Sequence, residues 1–97
     1  MDPDISDLSI ADVVESIAGK DAGKLFYVVE TDDTYLMLVN GKDRTIDNPK
    51  KKKRKHARKV LRSETRVAQQ IREGGKVLNS ELRRDLAVIG QEMQSKP

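Results

Sequence analysis

The 97-residue sequence contains no cysteine and no tryptophan, and its aromatic residues are Phe26, Tyr27 and Tyr35. The absence of cysteine excludes disulfides, a cysteine-ligated zinc site and a thiol nucleophile, and it fits a reducing compartment. No apolar run approaches the ~20 residues of a membrane span. The acidic start, MDPDISDLS, lacks the basic and then apolar order of a secretory signal. We therefore expect one small cytoplasmic domain with no membrane partner, too small for a deep enclosed active site.

The charges are segregated along the chain, although the formal net charge is only +3. Residues 1–40 carry nine acidic and two basic side chains, a net of −7, whereas residues 41–66 carry twelve basic and three acidic ones, a net of +9. A local excess of this size attracts phosphate backbones through counterion release and long-range steering. A basic run such as residues 49–55 is also typical of a solvated tail or a nuclear localisation signal. Its mid-chain position favours a nucleic-acid contact.

Two compact β-branched and aromatic runs, residues 25–29 and 35–39, predict the central strands of a sheet. A shorter segment containing Val13, Val14 and Ile17 predicts a strand before them. The two central runs are apolar on both faces, whereas an exposed antiparallel strand alternates between polar and apolar residues. One face can fill a small barrel, and the other must be covered by the C-terminal third of the chain or by a partner.

Turn signals separate these runs. Residues 31–34, with the sequence TDDT, predict a turn. Asn40-Gly41 is a strong hairpin signal and predicts a type I′ turn, with residues 44–46 as the returning strand.

From Ser63 onward the apolar spacing becomes helical. Ser63 is the expected N-cap of a short helix that ends at Gly74-Gly75. A second helix is expected to begin at residues 79–81. Its apolar stripe, spaced by four, three and four residues, consists of Leu82, Leu86, Ile89 and Met93. This stripe either covers the sheet or docks a partner protein.

The loop between the first two predicted strands has a distinctive composition. Gly19 and Gly23 permit the backbone angles of a tight strand-to-strand connection. Asp21 is expected to accept hydrogen bonds from the turn's own amides. Lys20 and Lys24 are expected to project toward solvent or phosphate.

This arrangement, together with residues 35–44 and the basic stretch that ends at His56, resembles the KOW motif. The resemblance covers residues ~12–62, and it is closest to small KOW-domain RNA-binding proteins akin to large-subunit ribosomal proteins of archaea and eukaryotes, with compact bacterial relatives. The family implies an SH3-like five-stranded barrel whose loops contact RNA. The acidic leader and the helical tail are not explained by the motif.

We therefore predict a mainly β fold, an SH3-like five-stranded barrel with a C-terminal helical extension. The expected organisation is an acidic mobile leader over residues 1–9, a barrel over 10–62 with its basic segment at 50–59, and two short helices over 63–97.

Several enzymatic and metal chemistries fail on the residues present. Three residues separate the loop glycines where a P-loop needs four, and Leu25 stands where magnesium needs Ser or Thr. His56 is surrounded by cations that repel a divalent ion, so it is either a surface residue or a minor RNA-stacking one. Asp32 and Asp33 fit a solvated turn better than an acid–base pair. No serine has a nearby residue in the sequence that could act as a general base to activate it as a nucleophile. We predict no enzymatic activity and no cofactor.

The preferred hypothesis, which the resemblance implies, is a ribosome-associated RNA-binding protein. Its phosphate contacts are expected to position the protein and hold affinity without reading sequence. The predicted loop residues are Gly19, Asp21 and Gly23, and the predicted RNA-binding residues are Lys20, Lys24, Arg44, Lys50, Lys51, Lys52, Lys53, Arg54, Lys55, His56, Arg58 and Lys59. Phe26, Tyr35 and Met37 are expected in the core, and Tyr27 is a candidate base-stacking platform. Duplex DNA is less favoured because no predicted helix carries a cluster of basic side chains that could serve for recognition.

Two further hypotheses remain open. The chain could instead be an adaptor in the transcription or translation machinery, whose helical stripe docks a ribosome- or polymerase-associated protein. Asp2, Asp4 and Asp7 of the leader could fold back on the lysine run and screen non-specific RNA.

Overall fold

A computed structural model describes residues 8–95 of the chain. The five strands are β1 (Asp12–Ser16), β2 (Leu25–Thr31), β3 (Tyr35–Val39), β4 (Lys50–Lys53) and β5 (Ala57–Arg62). A single 3₁₀ turn (Arg54–His56) joins β4 to β5. The two helices that follow are α1 (Arg66–Arg72) and α2 (Asn79–Ser95).

The strands form one antiparallel sheet in the order β4-β3-β2-β1-β5. This confirms a mainly β domain of SH3-like type with a C-terminal helical extension. The sheet is not closed, because β5 pairs with β1 and no ladder joins β4 to β5 within residues 8–95. Both β4 and β5 are therefore edge strands.

Successive strand residues point to opposite faces, and both faces of this sheet are buried. One face is filled by the Phe26 cluster, which consists of Leu8, Val14, Phe26, Val28, Leu36, Leu38 and Ala57. The other face carries the Tyr27 cluster. The sheet contributes Val13, Tyr27 and Val39 to it, the turn before β1 contributes Ala11, and the C-terminal segment contributes Val67, Ala68, Val77, Leu82, Leu86 and Ile89. The two-sided apolar pattern of β2 and β3 is explained by these two clusters. Tyr35 and Met37 belong to neither and are only half-buried.

Helix α2 covers the sheet through most of its apolar stripe. Leu82 is fully buried, and Leu86 and Ile89 are each only 7% exposed, whereas Met93 is 40% exposed. At 17 residues α2 is longer than the predicted short helix. The stripe is thus largely occupied by contacts within the chain.

Tyr27 links the sheet to α2 and to the segment that precedes α1. Its ring is fully buried, and its hydroxyl donates to Oδ2 of Asp85 at 2.6 Å and lies 2.9 Å from Oγ of Ser63. Burial raises the pKa of the Tyr27 phenol, and the adjacent Asp85 carboxylate adds to that rise. The hypothesis that Tyr27 is an outward base-stacking platform is therefore wrong, because the helices cover its face of the sheet.

The N-cap of α1 is Thr65, not Ser63. The Thr65 side chain accepts a hydrogen bond from the amide of Ala68 at 3.2 Å. Ser63 is instead buried beside the Tyr27 hydroxyl, and this contact explains why a residue type that favours N-caps lies two positions before the actual N-cap. The helix ends as predicted, with Gly74 at φ +73° directly after its C-cap.

The segment after β3 is a long loop that leads to β4, and not a tight two-residue hairpin turn. Gly41 has a positive φ of +78°, but Asn40 does not, so the type I′ turn is wrong. The Asn40 side chain shapes the loop instead, because its Oδ1 accepts the amides of Lys42 and Arg44 at 3.0 Å each. Residues 44–46 form no strand, and β4 is the strand that pairs with β3.

The folded unit begins before residue 10. Leu8 is 5% exposed within the Phe26 cluster, and the amide of Ser9 donates to Oδ2 of Asp12 at 2.9 Å. The leader carboxylates Asp2, Asp4 and Asp7 lie outside the described residues.

Candidate nucleic-acid interface

Loop 19–23, the glycine-flanked loop, connects β1 to β2 with the backbone geometry that its glycines permit. Gly19 has a φ of +84° and Gly23 a φ of +90°, both in the left-handed region that favours glycine. The amide of Gly23 donates to the carbonyl of Ser16 at 2.8 Å, which closes the loop on the end of β1. Lys20 is therefore held at the exposed tip of a short, hydrogen-bonded connection.

Asp21 joins this loop to strand β4. Its Oδ1 accepts hydrogen bonds from Nζ of Lys52 at 2.9 Å and from Oγ of Ser16 at 2.8 Å. Its Oδ2 lies 3.4 Å from Nζ of Lys50. The Asp21 carboxylate thus binds side chains of β1 and β4, and not the turn's own amides as the sequence predicted. Loop 19–23 and the lysine strand are consequently neighbours.

Burial would raise the pKa of Asp21, but the hydrogen bonds from Lys52 and Ser16 and the charges of Lys52 and Lys50 outweigh it. The resulting pKa is about 2, compared with an ordinary value of 3.8. The carboxylate is therefore ionised at any physiological pH, and the connection between the loop and β4 is a charged one.

Lys52 is a structural residue. It is 8% exposed, and its ammonium group also donates to Oγ of Ser16 at 2.8 Å and to the carbonyl of Ala18 at 2.7 Å. Opposite positions of neighbouring strands share a face, and Lys52 lies opposite Leu36. It therefore shares the face of the Phe26 cluster, which removes it from the predicted RNA-binding residues.

Lys51 and Lys53 of β4 point the opposite way from Lys50 and Lys52. Lys51 and Lys53 are exposed, and Nζ of Lys51 lies 4.3 Å from the centre of the Tyr35 ring. Lys55 of the 3₁₀ turn is also exposed. Within residues 8–95, no acidic side chain forms an ion pair with Lys20, Lys51, Lys53 or Lys55. We call these four side chains the exposed lysine set.

Most of the other predicted cations have acidic partners, and one of these partners, Asp12, is buried. Lys24 binds Asp43 at 2.9 Å, Arg58 binds Glu15, and Lys59 lies 3.5 Å from Asp12. The pKa of the exposed Asp43 carboxyl is lowered, chiefly by its hydrogen bond from Lys24. Surface ion pairs contribute little free energy, so RNA phosphates can compete for Lys24 and Arg58.

Arg44 and His56 are half-buried, and the structure shows no specific role for either side chain. The backbone carbonyl of His56 accepts the amide of Ile17 at 2.9 Å. Within residues 8–95, no three potential metal ligands come together.

Arg54 organises one end of the cationic surface. Its guanidinium donates to Oγ1 of Thr31, to the carbonyl of Asp32 at 3.3 Å and to the carbonyl of Leu8 at 3.1 Å. With Lys53 and Lys55 it lines an open cleft of about 750 Å³ beside the turn at residues 31–34. Arg54 is thus a structural residue whose neighbours remain accessible.

The aspartates of that turn behave as the sequence predicted. Oδ1 of Asp32 accepts the amides of Tyr35 at 2.7 Å and of Thr34 at 2.8 Å, and these bonds lower the pKa of its exposed carboxyl. Asp32 and Asp33 are exposed and form a solvated turn.

Comparison of the chain with protein-family models and with curated proteins finds no match. The functional inference therefore depends on the residues of loop 19–23 and β4 themselves. Neither helix of the described residues has the length and apolar character needed to cross a bilayer.

Proposed function

We propose that this protein is a non-enzymatic RNA-binding module that holds phosphate backbones with the exposed lysine set. The observation that carries the proposal is the row of exposed side chains Lys51, Lys53 and Lys55 on edge strand β4 and the turn after it, which form no ion pair within residues 8–95. Asp21 holds loop 19–23, with the exposed Lys20, beside the same edge strand on the side of Lys50 and Lys52.

The geometry of β4 supports phosphate contacts. Lys51 and Lys53 are two positions apart, so they share a face and lie roughly 6.6 Å apart along the strand. This separation is comparable to that of successive phosphates on an extended single strand. Lys55 continues the row beyond the strand end.

Lysine–phosphate contacts alone do not distinguish RNA from DNA. The resemblance of residues 12–62 to KOW-domain ribosomal proteins supports RNA, and ribosome association belongs to the same proposal. The adaptor alternative has less support, because Leu82, Leu86 and Ile89 of its docking stripe are buried against the sheet.

The test is the salt dependence of RNA affinity for the wild type and the triple variant K51Q/K53Q/K55Q. Each contact to single-stranded RNA contributes about −0.7 to the log–log salt slope, so the variant should lose about 2 from the slope. A matched variant, R66Q/K76Q/R84Q, removes the same charge from exposed residues of the helical region. It should keep the wild-type slope.

Equal slopes in the two triple variants would contradict the proposed site and leave only a net-charge effect. The ribosome proposal has a separate measurement, because the endogenous protein should sediment with large subunits in low-salt lysate. Sedimentation only at the top of the gradient would contradict that proposal.

A further inference from the structure

Tyr35 is the one aromatic side chain of the three that the fold leaves accessible. Phe26 and Tyr27 are fully buried, each in its own cluster, whereas Tyr35 is half-buried and belongs to neither cluster. It begins β3 next to the edge strand, directly opposite Lys53. An aromatic ring is thus placed within the exposed lysine set.

An exposed lysine lies over the face of this ring. Nζ of Lys51 lies 4.3 Å from the ring centre, in the geometry of a cation–π contact. Such a contact at an exposed site is weaker than the stacking of a nucleobase on an aromatic ring. A base can therefore displace the Lys51 ammonium group, which remains close enough to bind the adjoining phosphate.

We propose that Tyr35 is a stacking platform for an unpaired base, so that the preferred ligand is single-stranded RNA and not a duplex. This inference rests on the proposed function and adds the class of RNA. Bases of a duplex are stacked on one another and offer no face to the ring, whereas unpaired bases in loops and ends do. Lys51 and Lys53 then bind the phosphates on either side of the stacked base.

The test uses oligouridine and a duplex RNA of equal length, with the full chain and the variants Y35L and Y35F. Y35L should weaken oligouridine binding by about tenfold and leave duplex binding unchanged, because only the unpaired base stacks. Y35F keeps the ring and should bind oligouridine as the wild type does. The salt slope should be the same for all three proteins, since no charge changes.

Tyrosine fluorescence gives an independent readout, because the chain has two tyrosines and no tryptophan. Tyr27 is fully buried, so quenching by oligouridine should come from Tyr35 and disappear in Y35F although its affinity is retained. Circular dichroism of Y35L checks its fold.

A folded Y35L that binds oligouridine as tightly as the wild type would overturn the stacking proposal. The proposed function would survive that result if K51Q/K53Q/K55Q still lost affinity and slope. Conversely, a wild-type protein that bound neither RNA in dilute buffer would overturn both.

Discussion

The ammonium group of Lys52 lies 2.9 Å from Oδ1 of Asp21, and both side chains are largely buried, at 7% and 12% exposure. The two residues are 31 positions apart in the chain, one in loop 19–23 and the other in β4. Removing one partner of such a pair leaves an uncompensated charge in a desolvated position, and this cost commonly exceeds the value of the pair itself.

Replacement of Asp21 should therefore change both the stability and its pH dependence. D21N should lower the free energy of unfolding at pH 7 by about 3 kcal/mol, because Lys52 loses its counter-charge. The pKa of Asp21 is about 2 in the folded protein, compared with an ordinary value of 3.8 in the unfolded chain. Its ionisation therefore contributes about 2 kcal/mol to the free energy of unfolding above pH 4. That contribution is lost as the pH falls through the folded pKa.

Urea unfolding between pH 7 and pH 2 measures this effect. The difference between wild type and D21N should shrink as the pH falls from about 4 to about 2. Parallel stability curves over that range would show that Asp21 is not the group that titrates. D33N, which alters an exposed carboxylate of the turn, is the control.

Lys51 and Lys52 are adjacent, and their variants should have opposite effects. K52M should lower stability by about 3 kcal/mol, because Asp21 loses a buried partner, but should leave the RNA salt slope unchanged in the folded protein. K51Q should leave stability within about 0.5 kcal/mol and reduce the slope by about 0.7. Unfolding and binding titrations on the same preparations measure both quantities. A smaller salt slope of RNA affinity in K52M would show that Lys52 contacts RNA phosphates after all.

The sequence predicts the central strands because residues 25–29 and 35–39 are β-branched, aromatic and apolar on both faces. It does not predict β4, since four successive lysines have no strand propensity. Pairing with β3 and the distant Asp21 carboxylate make that segment a strand. The same limit applies within the site, where one run of lysines contains a buried ion-pair partner and two exposed cations.

The two tyrosines show a related limit. Tyr27 and Tyr35 both lie in two-sided apolar runs, so a period of two residues cannot tell which face the helices will cover. The position of α2 determines which face is covered, and α2 reaches the sheet through tertiary packing that the strand pattern does not encode. The proximity of Tyr35 to Lys51 and Lys53 also depends on the register between β3 and β4, and the sequence does not predict that register because a long loop separates the two strands.

Gly41 is required by packing as well as by its backbone angle. It has a φ of +78°, and a Cβ there would lie 2.2 Å from the carbonyl oxygen of Asn79 at the start of α2. Gly23 has a φ of +90° and open space around it. G23A should therefore cost about 1–2 kcal/mol from backbone strain alone, and G41A about 3 kcal/mol or more because α2 must also shift.

Thermal and urea unfolding of the two glycine variants measure the difference. Equal losses in G23A and G41A would mean that α2 does not press against the loop after β3. The hydrogen bond from Nη1 of Arg83 to the Gly41 carbonyl at 2.6 Å gives a second check, since R83Q should weaken the same contact without strain.

The apolar stripe of α2 divides into residues that cover the sheet and a residue that does not, and truncating each kind tests this division. Leu82 is fully buried in the Tyr27 cluster, so L82A should cost about 3 kcal/mol through lost burial and the cavity it leaves. Met93 is 40% exposed, and M93A should change stability by less than about 0.5 kcal/mol. Both substitutions retain helix propensity, so the comparison isolates packing. If L82A were as stable as M93A, α2 would not be docked on the sheet in solution, and the stripe would be available to a partner protein as the adaptor hypothesis requires.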